Sequence, residues 1–280
     1  MSRRHYNTYN NIILDNLIVD LLVDIREGEQ GVNRHLARLN RRNMPNYTAN
    51  YMRLMVDWGD GVVETVDISP LVNDTNVHTA SQSLYHVYTN VGKYNVSIRQ
   101  LTSYVLTRPR WFTFTPPNQT TPEIRVEEIK RFIFNGTDCY QLTGGSITPP
   151  ALTTLNNVWL QDVTNIQQAF SALTNLQVFD IELLKRIKGL VNMNRAFASI
   201  KYPIDFNEFI DGADFSQLEN AKQAFYMSIN MFGQGMLFVN APKSPSWNEN
   251  LEWIYHPAQS CFEYCTNLTD YAQLPYQYKG

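Results

Sequence analysis

Asp57, Asp60 and His86 are the residues of this 280-residue chain whose types best suit chemistry. Two carboxylates and an imidazole would serve general acid–base catalysis or ligate a metal. The competing reading is structural. Asp60 lies between Gly59 and Gly61, where its carboxylate can bond turn amides, and His86 opens a β-rich stretch where it can pack. We favour the structural reading and expect no catalytic residue, no metal and no cofactor. The three cysteines, Cys139, Cys261 and Cys265, have no metal-site companion pair, and the i, i+4 spacing of Cys261 and Cys265 suits core packing better than a disulfide. His5, His35, His78 and His256 are scattered, and the lone pair Gly144-Gly145 reads as a turn. No nucleophile elbow, HExxH or Walker loop stands in a suitable context.

With 44% hydrophobic and 18% charged residues, the chain reads as folded, and its length allows two domains. A net charge of −3 offers no nucleic-acid footprint; Arg34, Arg38, Arg41 and Arg42 read as a solvated helix end. Residues 1–11 are polar and read as an arm. Leu14, Leu17, Ile18, Leu21, Leu22 and Ile25 then follow i, i+3, i+4 spacing, which predicts a short N-terminal amphipathic helix whose apolar stripe packs on the body or docks on a partner. Acids interrupt this stretch, so neither an export signal nor a membrane span is expected. Pro45 closes this first part, 1–45.

Strands are predicted at 51–56, 62–68, 94–101 and 104–107 from Val, Ile, Thr and Tyr content. They make residues 46–115 a β-sandwich. The Pro/Thr-rich segment 116–124 is a linker. Trp58-Gly59-Asp60-Gly61, then His86-Val87-Tyr88, then Gly92-Lys93-Tyr94-Asn95-Val96 resemble a PKD domain, an immunoglobulin-like sandwich with a W-x-F-G-D-G turn followed by H-x-Y and G-x-Y-x-V. The chain departs from that pattern at Val56 and Trp58. The resemblance implies that these are framework residues.

Residues 125–280 repeat. Asn165 to Phe170, Asn192 to Phe197 and Asn220 to Phe225 share an Asn five places before a Phe and an Ala immediately before it, and Cys261-Phe262 provides a fourth copy. The phenylalanines lie 27, 28 and 37 residues apart, so the last interval holds an insertion, 240–253, with Trp247 and Trp253. Each unit is expected to hold a short helix carrying Ala-Phe, with Phe170, Phe197, Phe225 and Phe262 forming one core ladder. The pattern resembles the Asn-Met-Ser-x-Met-Phe-x-x-Cys repeat of BspA-like leucine-rich-repeat surface proteins, with Cys265 at the Cys position and Leu173, Ile200 and Ser228 replacing it earlier. The fold class expected is therefore multi-domain: an immunoglobulin-like sandwich, mainly β, followed by an α/β leucine-rich-repeat-like solenoid.

These resemblances imply a non-enzymatic display protein of a virion surface (a head decoration, fibre or tail accessory protein), present as a homo-oligomer or in many copies. Its partner would be a capsid, tail or host-surface protein, or a glycan, contacted through Trp247 and Trp253 of the insertion. A bacterial cell-surface adhesin, extracellular in location, is the alternative.

Overall fold

The structure, a computed structural model, describes residues 17–41, 52–68, 82–101, 109–118, 120–136, 138–139, 141–142 and 152–280. The expected arm at 1–11, Leu14, Arg42, Pro45, the strand at 104–107, His5, His78 and Gly144-Gly145 lie outside these residues.

Eight strands come first: β1 (Leu17–Ile25), β2 (Arg34–Arg41), β3 (Met52–Asp57), β4 (Val63–Ile68), β5 (Gln82–His86), β6 (Gly92–Gln100), β7 (Pro109–Thr113) and β8 (Arg125–Asn135). Three short ones follow, β9 (Thr154–Leu155), β10 (Val158–Gln161) and β11 (Val178–Phe179). One sheet runs β11-β9-β8-β1-β6-β3-β4, with β10 also on β8; a second runs β5-β2-β7. Buried residues of both sheets, among them Trp58, Leu36, Leu84 and Phe112, join one apolar core.

The expected N-terminal helix is a strand over its described residues. Residues 17–25 form β1, which lies between β6 and β8 and is antiparallel to both. Val19, Leu21, Val23 and Ile25 are all buried, a period of two. Ile18 is buried as well, and Leu22 on the same side is half-buried. Ile18 and Leu22 fill the gaps in that period of two from the second face, and the filled pattern imitates helical spacing. Ile18, Leu21 and Ile25 belong to the core and are not a docking stripe. The arginines correct in the same way: Arg34 and Arg38 sit on a strand and donate to the carbonyls of Glu29, Glu123 and Thr115.

The expected Ala-Phe helices of the repeats are absent among the described residues. The described residues are 32% strand and 10% helix, so the fold is mainly β with mixed sheets, and no helical solenoid is present. The short α-helices are α1 (Phe206–Ile210), α2 (Met236–Val239) and α3 (Tyr276–Lys279), and none carries an Ala-Phe pair. Each Ala-Phe instead joins two β-turns. Ala196 N–H bonds the Met193 carbonyl and Ala224 N–H that of Ala221, closing turns before the ring; Ser228 N–H bonds Phe225 and Cys265 N–H bonds Phe262, closing turns after it. The third residue of each turn has positive φ: Gln168, Arg195, Gln223 and Ser260 before the rings, and Ala172, Ser199, Met227 and Tyr264 after them, all between 51° and 65°. That sign of φ, which type II turns need, ends any α-helix.

These turns stack into coils. Ile166, Gln168, Phe170 and Ala172 donate their N–H groups to the carbonyls of Asn192, Asn194, Ala196 and Ala198, at 2.8–2.9 Å. Met193, Arg195, Phe197 and Ser199 donate likewise to Asn220, Lys222, Ala224 and Tyr226. Every bond in this front ladder points the same way, from the earlier coil to the later. On the other side the chain returns through short parallel pairings, β8 to β9 and β9 to β11. Through β8 the sheet crosses the 116–124 segment, so sandwich and coils share one sheet.

Candidate functional site

The turn at 57–61 uses its polar groups internally. Asp57 accepts from Gly59 N–H at 3.0 Å, and one Asp60 oxygen accepts from Val62 N–H at 3.1 Å. The other Asp60 oxygen meets His86 Nε2 at 2.8 Å. The His86 ring lies flat on Trp58, centroids 4.5 Å apart and 6° from parallel, and meets Tyr88 edge-on at 4.5 Å. Tyr88 then stacks on Tyr94 and donates its hydroxyl to the Trp58 carbonyl, while Trp58 Nε1 donates to Glu64. Partial burial pushes the Asp60 carboxyl up, but hydrogen bonds from His86 and Val62 outweigh it and hold it below the usual value. Gly59 has φ of +78°, and a Cβ there would sit 2.4 Å from the Asn95 carbonyl oxygen. Gly61 is also at positive φ but faces open space, and Gly92 lies at the start of β6 beside Tyr94. The arrangement braces a turn, with each carboxylate oxygen named here taken up by a framework donor.

The rings of the coils stand in one column. Phe170 stacks on Phe197 at 5.4 Å, Phe197 on Phe225 at 5.7 Å and Phe225 on Phe262 at 5.4 Å, all within 11° of parallel. Phe206, Phe209 and Phe238 meet the column edge-on. Offset and edge contacts of this kind add to the area the rings bury. Asn165, Asn192 and Asn220 pair from coil to coil, and each side chain accepts the N–H two residues on in its own coil. Ser228 and Cys265, both three places after the ring, donate to the carbonyls of Phe197 and Phe225 in the preceding coil. Burial pushes the Cys265 thiol up to about 12 and Cys261 well above its usual value; all three cysteines are free and buried. They pack, and a thiolate is not available at neutral pH.

Several groups at the ends of the stack escaped the sequence reading. Residues 138–139 and 141–142 belong to an earlier coil: Asp138 pairs with Asn165, and Cys139 and Gln141 donate to the carbonyls of Asn165 and Gln167. The signal was available, since Asp138 and Gln141 precede Asn165 and Gln168 by the repeat length. Phe114 N–H reaches the Leu142 carbonyl, so the end of β7 occupies the place of a preceding coil. At the other end Ser260 and Phe262 donate to the carbonyls of Gln277 and Tyr278, and the Tyr278 ring continues the column at 6.4 Å.

The insertion is tied down by Glu249, which accepts from Trp247 Nε1, His256 Nε2 and the Tyr278 hydroxyl. The Ala258 N–H donates to His256 Nδ1, which leaves the proton on Nε2. Lys243 donates to the carbonyls of Phe238, Val239 and Ala241 and lies over the Phe238 and Trp247 rings. Burial pushes its ammonium down to about 8, while the carbonyls and ring faces favour the charged form. Trp247 is half-buried against the core. Trp253 opens a 3-10 turn, 253–255; its side chain lies outside those described. The exposed apolar groups of this region are Leu251, Ile254 and Tyr255, at 39%, 54% and 66%.

Fold and site together define a mainly β protein in which a sandwich turn and a stacked ring column use their polar groups for structure. No family model, curated protein or solved structure matches the chain. The PKD-like and BspA-like resemblances therefore stand on the quoted residues. Among the described residues, no helix is long and apolar enough to cross a membrane, and no group of three or more His, Cys, Asp or Glu could hold a metal ion.

Proposed function

We propose that this protein is a non-enzymatic structural and display protein of a virion surface, as a head decoration, fibre or tail accessory protein, present in many copies and contacting protein or a host surface. The observation that carries this reading is the insertion. Its Glu249 side chain is tied to His256 and Tyr278, yet Leu251 within it and Ile254 and Tyr255 just after it leave apolar surface exposed. An ordered loop that exposes such groups on a rigid scaffold suits contact with a partner. Two further features support it: the groups best suited to chemistry are engaged in framework bonds, and the sandwich resembles an immunoglobulin-like display module.

Immuno-electron microscopy with an antibody to the chain, applied to particles and whole cells from the source culture, tests the reading. Label on particles is the expected result, and an Ile254→Ser/Tyr255→Ser variant should lose its place or its host contact while melting like the parent. Label confined to the cell envelope would replace the virion reading with the adhesin reading, and label on neither would end both.

A further inference from the structure

β2 carries a buried side chain whose polar atoms have no partner. His35 is 1% exposed, and neither Nδ1 nor Nε2 makes a hydrogen bond. Its ring lies edge-on to Tyr85 of β5, centroids 5.4 Å apart. Its backbone is fully used. The His35 N–H donates to the Pro122 carbonyl at 2.8 Å, and its carbonyl accepts from Ile124 N–H at 2.7 Å, in a parallel bridge with Glu123. These two bonds stitch residues 122–124, the approach to β8, onto β2.

The charged and titratable groups around this stitch include Arg34 and Arg38 from β2, Tyr85 and His86 from β5, Glu123 from the stitched segment, and Arg125 at the start of β8, which pairs with Glu29 at 3.7 Å. Arg34 is committed to the carbonyls of Glu29 and Glu123, and Arg38 Nε to that of Thr115. No hydrogen bond links the Glu123 carboxylate to the ring, whose nitrogens are both unbonded. A protonated ring would thus be a buried cation with no acceptor and with Arg38 repelling it. Burial first, and Arg38 second, push the His35 imidazole down to about 4.

We propose that His35 is an acid-sensitive latch: with a neutral ring it holds the 122–124 segment on β2, and protonation releases that segment. The latch is independent of the display role. Its sign follows from linkage. Once the segment opens and water reaches the ring, the imidazole takes its ordinary value of about 6.5. The latch is at full strength above that value. Between about 6.5 and 4 the opened form binds a proton that the closed form does not, so its population rises about tenfold for each pH unit lost.

Amide hydrogen exchange read by NMR from pH 7 to 4.5, corrected for the intrinsic rate, tests the latch at the His35 and Ile124 amides. Their protection should fall about tenfold per pH unit below 6.5, while the Val19 and Leu21 amides in central β1 stay protected. His35→Phe should abolish the pH dependence at both amides, and His35→Gln, which cannot titrate, should do the same. Should either folded variant keep the parent's pH dependence, the latch is wrong. In the parent, the imidazole resonances should stay in their neutral form below pH 5.5; a ring titrating near 6.5 with both amides still protected would overturn the proposal without any variant.

Discussion

The sandwich and the coil stack both need residues at positive φ, and they solve the requirement differently. In the sandwich the positions are glycines, and Gly59 has no alternative because the backbone of β6 stands where its Cβ would be. At the double turns of the stack, Gln168, Ala172, Arg195, Ser199, Gln223, Met227, Ser260 and Tyr264 hold the same sign of φ without a glycine among them, while Gly189, Gly212 and Gly233 take it up elsewhere in the coils. Each non-glycine residue so placed costs roughly 1–2 kcal/mol in isolation. The stack offsets this cost through repetition, because Gln168, Ala172, Arg195, Ser199, Gln223 and Met227 each donate an N–H to the next coil. A turn set against another backbone restricts residue type; a turn set against its own repeat is held by the neighbour.

The comparison can be broken most severely in the ring column. Phe225→Ala removes contacts with Phe197 and Phe262 above and below and with Phe206 and Phe238 at the side. It should cost about 3–5 kcal/mol in urea unfolding, read from the far-UV signal. Next is the sandwich turn. Gly59→Ala should cost about 3 kcal/mol, since strain and the clash with Asn95 add, while Gly61→Ala should cost about 1 kcal/mol because only strain applies. Equal melting temperatures for these two variants would show that β6 does not dictate the glycine. Smaller again is Ser228→Ala, which leaves the Phe197 carbonyl without its hydroxyl donor and should cost about 1 kcal/mol. Ser228→Cys should retain most of this, because Cys265 makes the equivalent bond one coil later. The smallest effect has the opposite sign. Ala172→Gly, at an exposed position with φ of 59°, should raise stability by about 0.5–1 kcal/mol, measured as a higher melting temperature.

The same contrast accounts for what could be read from sequence. The glycine turn and the alternation of Val96 and Ile98 announce strands, and one phenylalanine per 27 or 28 residues announces a column. The double turns stayed hidden because Gln168 and Arg195 are good helix formers that the inter-coil bonds override. β1 was misread because Ile18 and Leu22 put apolar residues on its second face too, and because its hydrogen-bonding neighbours, β6 and β8, come later in the chain. Of the proposed contact region, the break in the repeat was legible, but the reach of the Glu249 carboxylate to Tyr278, 29 residues on, depends on long-range placement.

The one-way sense of the front ladder makes length an adjustable property of this molecule. Each seam presents the same row of acceptors on one side and donors on the other, so a further 27- or 28-residue unit spliced between the Phe197 and Phe225 coils would find its partners ready-made. Such a graft would move the insertion 5.4–5.7 Å further from the sandwich, one ring spacing, and leave both terminal closures unchanged.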